Sequence, residues 1–281
     1  MSESLERNAF SPRKPAVAGM FYPGEKNTLR SDLNKMFSGV QSEHILGRIS
    51  GIVAPHAGYM YSGYVAAEAY QQLAGRSYDT VVVISPSHRD YFHGVSLYTG
   101  DYITPLGTIP IDRVLCDKLL TYKPLIQASV MGHRDEHALE VHLPFLQAVL
   151  SNFKLVPLVM GTQDHATCFR LGEVLGEVLK DTNSLVVASS DLSHFYSDAA
   201  ARKLDGIVAK DVESFDEKKL FDDIQERKCE ACGAGPIVST IIASKLLGAR
   251  SAKVLSYHTS GEVSGDYDEV VGYLAGVFYK Q

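Results

Sequence analysis

The sequence predicts an α/β fold, built as a single-domain α/β/α sandwich in which helices cover both faces of a mixed, largely parallel sheet. Short β-branched runs without polar alternation recur along the chain, which is typical of strands covered on both faces. Segments with apolar residues at helical spacing separate these runs. We see no linker, repeat or low-complexity stretch that would divide the 281 residues into separate domains.

The first elements alternate as expected for such a fold. Residues 1–12 form a polar lead that we expect to be flexible, and the proline-bounded segment 15–23 is predicted to be a loop because proline cannot continue a helix. A helix is predicted at 25–39, where Leu29, Leu33 and Met36 recur at helical spacing. Strands at 48–54 and 80–85 enclose a helix at 63–74, which makes a βαβ unit.

The middle of the chain departs from this alternation and then returns to it. Residues 95–111 combine tyrosines and isoleucines with turn residues, which predicts an antiparallel excursion and a mixed sheet. Helices are expected at 114–120 and 136–150, and Pro144 should kink the second one by leaving the Glu140 carbonyl unbonded. The same patterns predict strands at 153–160, 184–190, 253–259 and 270–279, and helices at 168–180, 199–212, 216–227 and 236–247.

Composition excludes several classes of function. Hydrophobic residues make up 45% of the chain and charged residues 21%, as in soluble globular proteins. The net charge of −6, without a basic block, disfavours nucleic acid as a partner. No apolar run approaches the roughly 18 residues of a spanning helix, and the N-terminus lacks the pattern of a secretory signal. We therefore expect a cytoplasmic protein with reduced thiols and no membrane partner.

Three strands each deliver a histidine shortly after they end. His56 follows the run 52–54, His88 follows 81–84, and His194 follows 184–190. One histidine at the end of a strand is often only a hydrogen-bonded corner residue. Because the carboxyl ends of parallel strands meet at one edge of the sheet, three of them together indicate a site that could hold a metal ion.

Cys232 precedes a predicted helix, where the helix dipole should lower the pKa of the thiol and favour the thiolate. Its spacing from Cys229 would also fit half of a structural zinc site or a redox pair, although no second Cys-x-x-Cys accompanies it. Cys116 and Cys168 lie on apolar helical faces and are predicted to be buried hydrophobes.

The segment 134–142 is dense in titratable residues. If it is helical, Glu136 and Glu140 share a face with His137 close by, while His142 points elsewhere. These residues could bind metal directly, could serve only the helix dipole, or could orient a ligand imidazole from a second layer. We favour the dipole over direct metal binding.

Asp191 and His194 flank a turn, where the aspartate could cap a following helix and the histidine could act as an acid or base. No Gly-x-Ser-x-Gly elbow surrounds a serine, which disfavours a serine hydrolase. A nucleophilic pair of Cys232 with a histidine stays chemically open.

Six motifs occur in an order that resembles the Memo family, the mediator of ErbB-driven motility and its prokaryotic relatives, over nearly the whole chain. They are PAVAGMFYP, APHAGYMYSG, SPSH, DEHALEVHLPF, SSDLSHF and ACGAGPI. The family is similar in fold to the class III extradiol ring-cleaving dioxygenases, which hold non-haem Fe(II) with two histidines and one carboxylate. The resemblance therefore implies that fold for this chain.

Residue by residue, the resemblance implies His56 and His88 as imidazole ligands and Cys232 as the third ligand, in place of the glutamate of the dioxygenases. His194 would correspond to the dioxygenase base, with Asp191 beside it. Fe(II) is the metal that we expect first. Because one ligand is a thiolate, copper or zinc could also occupy the site.

Phe21 and Tyr61 would line the pocket as aromatic walls, by the same resemblance. The predicted function is oxidation or oxygen chemistry on a small substrate. One alternative is a metal-free module that binds a peptide or phosphopeptide in the same cleft, and a third is a Cys-His hydrolase. In prokaryotes the family also suggests a radical SAM protein and a companion as partners.

Overall fold

The computed structural model describes residues 10–281 and contains a nine-stranded sheet with a separate two-stranded hairpin. Numbered in chain order, the strands are β1 Arg48–Ala54, β2 Thr80–Pro86, β3 Val95–Leu97, β4 Tyr102–Thr104, β5 Gly107–Ile109, β6 Ile126–Ala128, β7 Lys154–Met160, β8 Ser184–Ser189, β9 His194–Tyr196, β10 Ser251–Thr259 and β11 Val270–Lys280. The order across the sheet is β10-β11-β1-β8-β2-β7-β3-β6, and β9 pairs with β11.

The centre of the sheet is parallel and its outer part is largely antiparallel. Strands β1, β8, β2 and β7 lie side by side and run parallel. By contrast, β11 is antiparallel to both β1 and β10, and β3 is antiparallel to β7. The α/β fold with a mixed sheet is confirmed, and so is the antiparallel excursion, which contains β3 and the β4–β5 hairpin.

Helices cover both faces of the sheet. They are α1 Lys26–Ser38, α2 Tyr59–Gln71, α3 Arg113–Leu119, α4 His142–Val149, α5 His165–Leu179, α6 Asp198–Glu213, α7 Glu217–Gln225, α8 Ala234–Leu246 and the short α9 Gly261–Ser264. Alternate residues of β2 enter two different apolar clusters, one shared with α1, α2 and α4 and the other with α3 and α5 to α8. Cys116 and Cys168 are buried in the second cluster, as predicted.

The predicted helix at 136–150 is wrong in its first half. Helix α4 begins only at His142, because the Glu136 carboxylate accepts the main-chain N–H groups of His137 and Ala138 and so competes with helix formation. Pro144 therefore lies in the first turn, where an N–H group would have no helical partner. The Glu140 carbonyl, expected to be unbonded, accepts the N–H of Leu143 at 3.1 Å.

The other predicted elements agree with the observed ones to within a few residues, whereas β6, β9 and α9 had no predicted counterpart. The largest shift is in α2, which begins at Tyr59 directly after the short turn that carries His56. Residues 1–9 of the predicted lead lie outside the described residues, whereas Ser11 accepts a hydrogen bond from the Tyr98 hydroxyl at 2.8 Å. Between residues 10 and 281, no helix has the length and apolar character needed to cross a membrane.

Candidate metal centre

Three side chains meet at the carboxyl edge of the parallel strands. His56 follows β1 and His88 follows β2, and these strands flank β8. Cys232 reaches the same point from the loop before α8. The ligand atoms of the three residues lie within 4.8 Å of one another, and the His56 Nε2 to Cys232 Sγ distance is 3.2 Å. Two imidazoles and a thiol are therefore close enough to share one ion.

The hydrogen bonds of His56 determine which of its nitrogens is free. The Ser189 hydroxyl donates to the carbonyl of Ala138 at 2.6 Å, so its oxygen must accept from the Nδ1–H of His56 at 2.7 Å. That tautomer leaves the Nε2 lone pair facing Cys232. Burial, and then the neighbouring His88, lower the pKa of His56 well below its usual value, which favours the neutral imidazole that a metal requires.

His88 is oriented by the buried carboxylate of Glu136. Oε1 of Glu136 lies 3.0 Å from Nδ1 of His88, and Oε2 accepts the His88 main-chain N–H at 2.6 Å. Burial alone would raise the pKa of Glu136, but hydrogen bonds from His137 and His88 outweigh it and hold the pKa well below its usual range. The ionised carboxylate can only accept, so Nδ1 of His88 carries the proton and Nε2 is free.

His137 forms the third side of an imidazole cluster. Its Nδ1 lies 3.1 Å from the same Glu136 oxygen, and its ring stacks on His88 with centroids 5.0 Å apart. The Phe21 ring lies 4.7 Å from the His137 ring, so Phe21, which is predicted to line the pocket, lies next to this cluster. Tyr61 lies in the first turn of α2, and 39% of its surface is exposed.

Cys232 is held against Asp191 by a reciprocal pair of contacts. The N–H of Asp191 points to the Cys232 sulfur at 3.2 Å, and the N–H of Cys232 donates to the Asp191 carbonyl at 3.2 Å. The expected low pKa of this thiol is wrong for the metal-free protein. Burial, and then the charge of Asp191, raise the pKa of Cys232 above its usual value, and hydrogen bonds from Asp191, Ser190 and Gly233 lower it by less. A metal would have to displace the proton.

Asp191 forms its hydrogen bond with His56 and not with the predicted partner His194. Its Oδ1 accepts the main-chain N–H of His56 at 2.7 Å, and no hydrogen bond joins it to His194 in the described part of the chain. It caps no helix either, because the short strand β9 follows it. Burial raises the pKa of Asp191, and the hydrogen bond from His56 opposes that shift.

His194 opens β9 and pairs across to Val271 of β11, with its side chain partly exposed beside Phe195. The described residues show no hydrogen bond, ion pair or ring contact between His194 and the three converging residues, and His194 belongs to neither group of possible metal ligands. Its role as an acid or base stays a prediction.

Glu140 and His142 form their hydrogen bonds with other parts of the chain. The Glu140 carboxylate binds Arg13, the hydroxyl of Tyr22 and the main chain of residues 16 and 17, and Nδ1 of His142 lies 2.8 Å from the Tyr70 hydroxyl. Neither forms a hydrogen bond to His56 or His88, and the helical face that Glu140 was predicted to share with Glu136 does not form, because the helix begins only at His142. Glu136 and His137 lie beside His88, and the three offer ligand atoms within 4.8 Å of one another, so both direct metal binding and the orientation of a ligand imidazole stay predictions for them.

Ser189 was missed by the sequence reasoning, although it determines the tautomer of His56. It is the last residue of β8, the strand between the two that carry the histidines, and this position was the available signal. Cys229 was a possible partner of Cys232. It is buried, and the acids that act on its thiol are Asp211 and Asp223, so it belongs to no group of metal-binding residues found in 10–281.

Comparisons with known proteins identify relatives of this chain and a shared fold. The profile of the family described as Memo-like protein matches residues 13–277. A MEMO1 family protein of Methanobrevibacter smithii is 39% identical over 280 residues, covering 95% of this chain and 99% of the relative. One of Methanosarcina mazei is 40% identical over 266 residues, covering 94% and 97%. The uncharacterized protein JW3007 of Escherichia coli K12 shares the fold, with a TM-score of 0.55 and 13% identity, covering 83% of this chain and 100% of that one.

Proposed function

The chain belongs to the Memo-like family, and we propose that it binds one metal ion through His56, His88 and Cys232 and oxidises a small substrate there. Fe(II) is the metal we favour, with copper or zinc as alternatives. A metal of this kind would polarise a bound group and, in the case of iron or copper, exchange electrons with it. The observation that carries the proposal is the convergence of three ligand atoms within 4.8 Å.

The donor set fits a metal in its chemistry as well as in its spacing. Both imidazoles offer Nε2 because Ser189 and Glu136 occupy their Nδ1 atoms. Two nitrogens and one sulfur make a softer set than the two histidines and one carboxylate typical of non-haem iron, so the site should also accept thiophilic metals. The thiol itself can be oxidised, which adds a reason to handle the protein without oxygen.

The chain's own residues would then divide the remaining tasks. Phe21 and the stacked ring of His137 form a wall that can exclude water from one side of the cleft. His194, partly exposed at the opening, would give or take a proton at an imidazole nitrogen. A dioxygenase-like reaction is the class we favour, and a radical SAM protein with its companion remain proposed partners.

A peptide-binding module is the second candidate, and the surface around the cleft favours it. Met60, Tyr91 and Phe195 lie in or next to the segments that carry His56, His88 and His194, and at least 66% of each is exposed. An exposed apolar patch often marks a contact surface, and a peptide bound at the three ligand residues would cover these side chains. The Cys-His hydrolase is disfavoured, because a thiol whose pKa is raised by burial is a poor nucleophile without a metal.

The test is metal content, measured by mass spectrometry on protein purified without oxygen and offered Fe(II), copper or zinc. We expect about one metal per chain in the wild type and a loss in Cys232→Ala and His56→Ala. Cys229→Ala is the matched control, since it removes the other thiol of the same loop and should keep the metal. A wild type that takes up no metal, or variants that keep it, would move the assignment to the peptide-binding module.

A further inference from the structure

We propose that Gln163 is the positioning residue of Cys232 and thereby controls how tightly a metal is held. The inference rests on the proposed metal function. Gln163 lies in the loop between β7 and α5, so it comes from a fourth strand end of the same sheet edge. Nothing in the sequence motif of this loop marks it, and its importance comes from two hydrogen bonds to a segment about 70 residues away.

The side-chain amide of Gln163 brackets the start of α8. Its Nε2 donates to the main-chain carbonyl of Cys232 at 2.8 Å, and its Oε1 accepts the main-chain N–H of Gly235 at 2.7 Å. The N-cap residue of α8, Gly233, has no side chain with which to cap the helix. Gln163 therefore supplies from another loop the contact that a serine or aspartate makes at other helix starts.

These bonds fix the backbone on both sides of the sulfur. The N–H of Cys232 is held by the Asp191 carbonyl, and its C=O is held by Gln163. A cysteine side chain has one torsion before its sulfur, so a fixed backbone leaves Sγ few positions. The position observed puts the sulfur 3.2 Å from Nε2 of His56. If the carbonyl loses its donor, the peptide can rotate and carry the sulfur away from the two imidazoles.

The Gln163 side chain packs against Gly235 so closely that a side chain at position 235 would collide with it. A Cβ at Gly235 would come within 3.0 Å of the Gln163 side chain and 2.9 Å of the Cys168 sulfur. Gly235→Ala should therefore displace the amide without touching Cys232 directly. This substitution gives an independent perturbation of the same contact.

A purely structural role for Gln163 makes a different prediction from a positioning role. Gln163→Glu keeps the acceptor for the N–H of Gly235, and a negative charge at the start of α8 favours the helix. It removes the donor to the Cys232 carbonyl. If Gln163 only caps the helix, Gln163→Glu should bind metal as the wild type does; if it positions Cys232, metal binding should weaken while the thermal unfolding midpoint is kept.

The first experiment is a Co(II) titration of the metal-free full-length chain, followed by the thiolate-to-cobalt absorption band. We expect the dissociation constant to rise about tenfold in Gln163→Leu and Gln163→Glu, the low end of the effect of ligand-orienting residues, with a weakened band. Gln147→Leu is the matched control, since the Gln147 amide donates to the carbonyl of Gly107, 40 residues earlier. Its dissociation constant should stay within about twofold of the wild-type value. Wild-type affinity and band in Gln163→Glu would overturn the proposal, whatever Gln163→Leu shows.

A second measurement needs no metal and separates this proposal from the proposed function. Iodoacetamide labelling of the metal-free chain, read by peptide mass spectrometry, reports Cys232 alone while the other three cysteines are buried. We expect faster labelling of Cys232 in Gln163→Leu and Gly235→Ala than in the wild type or in Gln147→Leu. Unchanged labelling would overturn the positioning role, whereas failure of wild-type protein to bind any metal would overturn the proposed function alone.

Discussion

Two buried carboxylates four residues apart, Glu136 and Glu140, serve different regions of the molecule. Both side chains are about equally buried, and both accept several hydrogen bonds. Glu140 binds Arg13, Tyr22 and the main chain of the N-terminal segment, so all its partners belong to the scaffold. Glu136 binds His88 and His137, and each of these rings keeps a nitrogen free of it. The comparison teaches that a carboxylate of a functional site differs from a scaffold carboxylate in its partners, which keep an atom free to bind a ligand.

Glu140→Ala should have the largest effect, and it should fall on stability. It leaves the guanidinium of Arg13, which is 5% exposed, buried without its counter-charge, and breaking such a pair costs about 3–5 kcal/mol. Urea unfolding would measure the loss. The double variant Arg13→Met with Glu140→Leu should recover only the part of the loss that comes from the unpaired charge, because the Tyr22 hydroxyl and the N–H groups of residues 16 and 17 still lack their acceptor. Metal bound per folded molecule should not change, and its loss in a stable Glu140→Ala protein would contradict the comparison.

Glu136→Gln should have the opposite signature. In an amide one of the two oxygens becomes an NH2 group, which cannot accept a hydrogen bond. With that group in place of Oε2 the main-chain N–H of His88 loses its acceptor, and with it in place of Oε1 the Nδ1–H groups of His88 and His137 lose theirs, so His88 is no longer held in the same orientation. We expect metal affinity to fall about 10- to 100-fold, with a smaller change in unfolding free energy than for Glu140→Ala. Competition with a chelator gives the affinity. If Glu136→Gln instead unfolds the protein while the folded fraction keeps its metal, Glu136 belongs to the scaffold.

The sequence alone was enough to predict the edge of the sheet at which the site lies. His56 and His88 could be brought together because parallel strands converge, and the end of β1 was predicted to the residue. The role of Glu136 could be proposed but not its geometry, because the apolar spacing of 136–150 suggested a helix that the Glu136 side chain prevents from starting. A side chain that binds its own backbone leaves no periodic signal.

The free nitrogen of each imidazole was beyond prediction for a different reason. It depends on contacts between distant segments, such as the hydrogen bond from Ser189 to the carbonyl of Ala138, 51 residues earlier. The sequence also paired Asp191 with its close neighbour His194, whereas the chain turns so that Asp191 meets His56, 135 residues away. Neighbours in sequence were a poor guide where strand ends bring remote residues together.

The comparison between scaffold and site residues also applies to histidines, and the pH dependence of stability can test it. In His133 both nitrogens are occupied, Nδ1 by the Tyr102 hydroxyl at 2.6 Å and Nε2 by the Ser96 carbonyl at 3.2 Å, as expected of a scaffold residue. Burial lowers the pKa of His133 to about 3. Between pH 6.5 and about pH 3, this histidine is protonated in the unfolded chain but not in the folded protein. The free energy of unfolding must therefore fall as the pH falls.

This residue should contribute a slope of about 1.4 kcal/mol per pH unit to the unfolding free energy between pH 4 and 6. His133→Gln, which can still donate to Ser96 and accept from Tyr102, should flatten the curve by that amount. Above pH 7 the wild type and the variant should run parallel, which serves as the internal control. A variant whose acid slope equals that of the wild type would show that His133 is protonated in the folded protein.

Ser189→Ala should have the smallest effect and tests the link between the two regions. Ser189 is a scaffold residue by position, since it ends β8, but its hydroxyl fixes the site imidazole of His56. Without the hydroxyl, the hydrogen bonds to the Ala138 carbonyl and from His56 Nδ1 are lost, each worth about 1 kcal/mol. His56 is then free to exchange tautomers. We expect metal affinity to fall by up to about tenfold, with the cysteine ligand undisturbed. Ser190→Ala, one residue further on, loses the contact with Gly233 and leaves His56 as it is, so a larger loss of affinity there would assign control of the site to the loop before α8 instead of the tautomer.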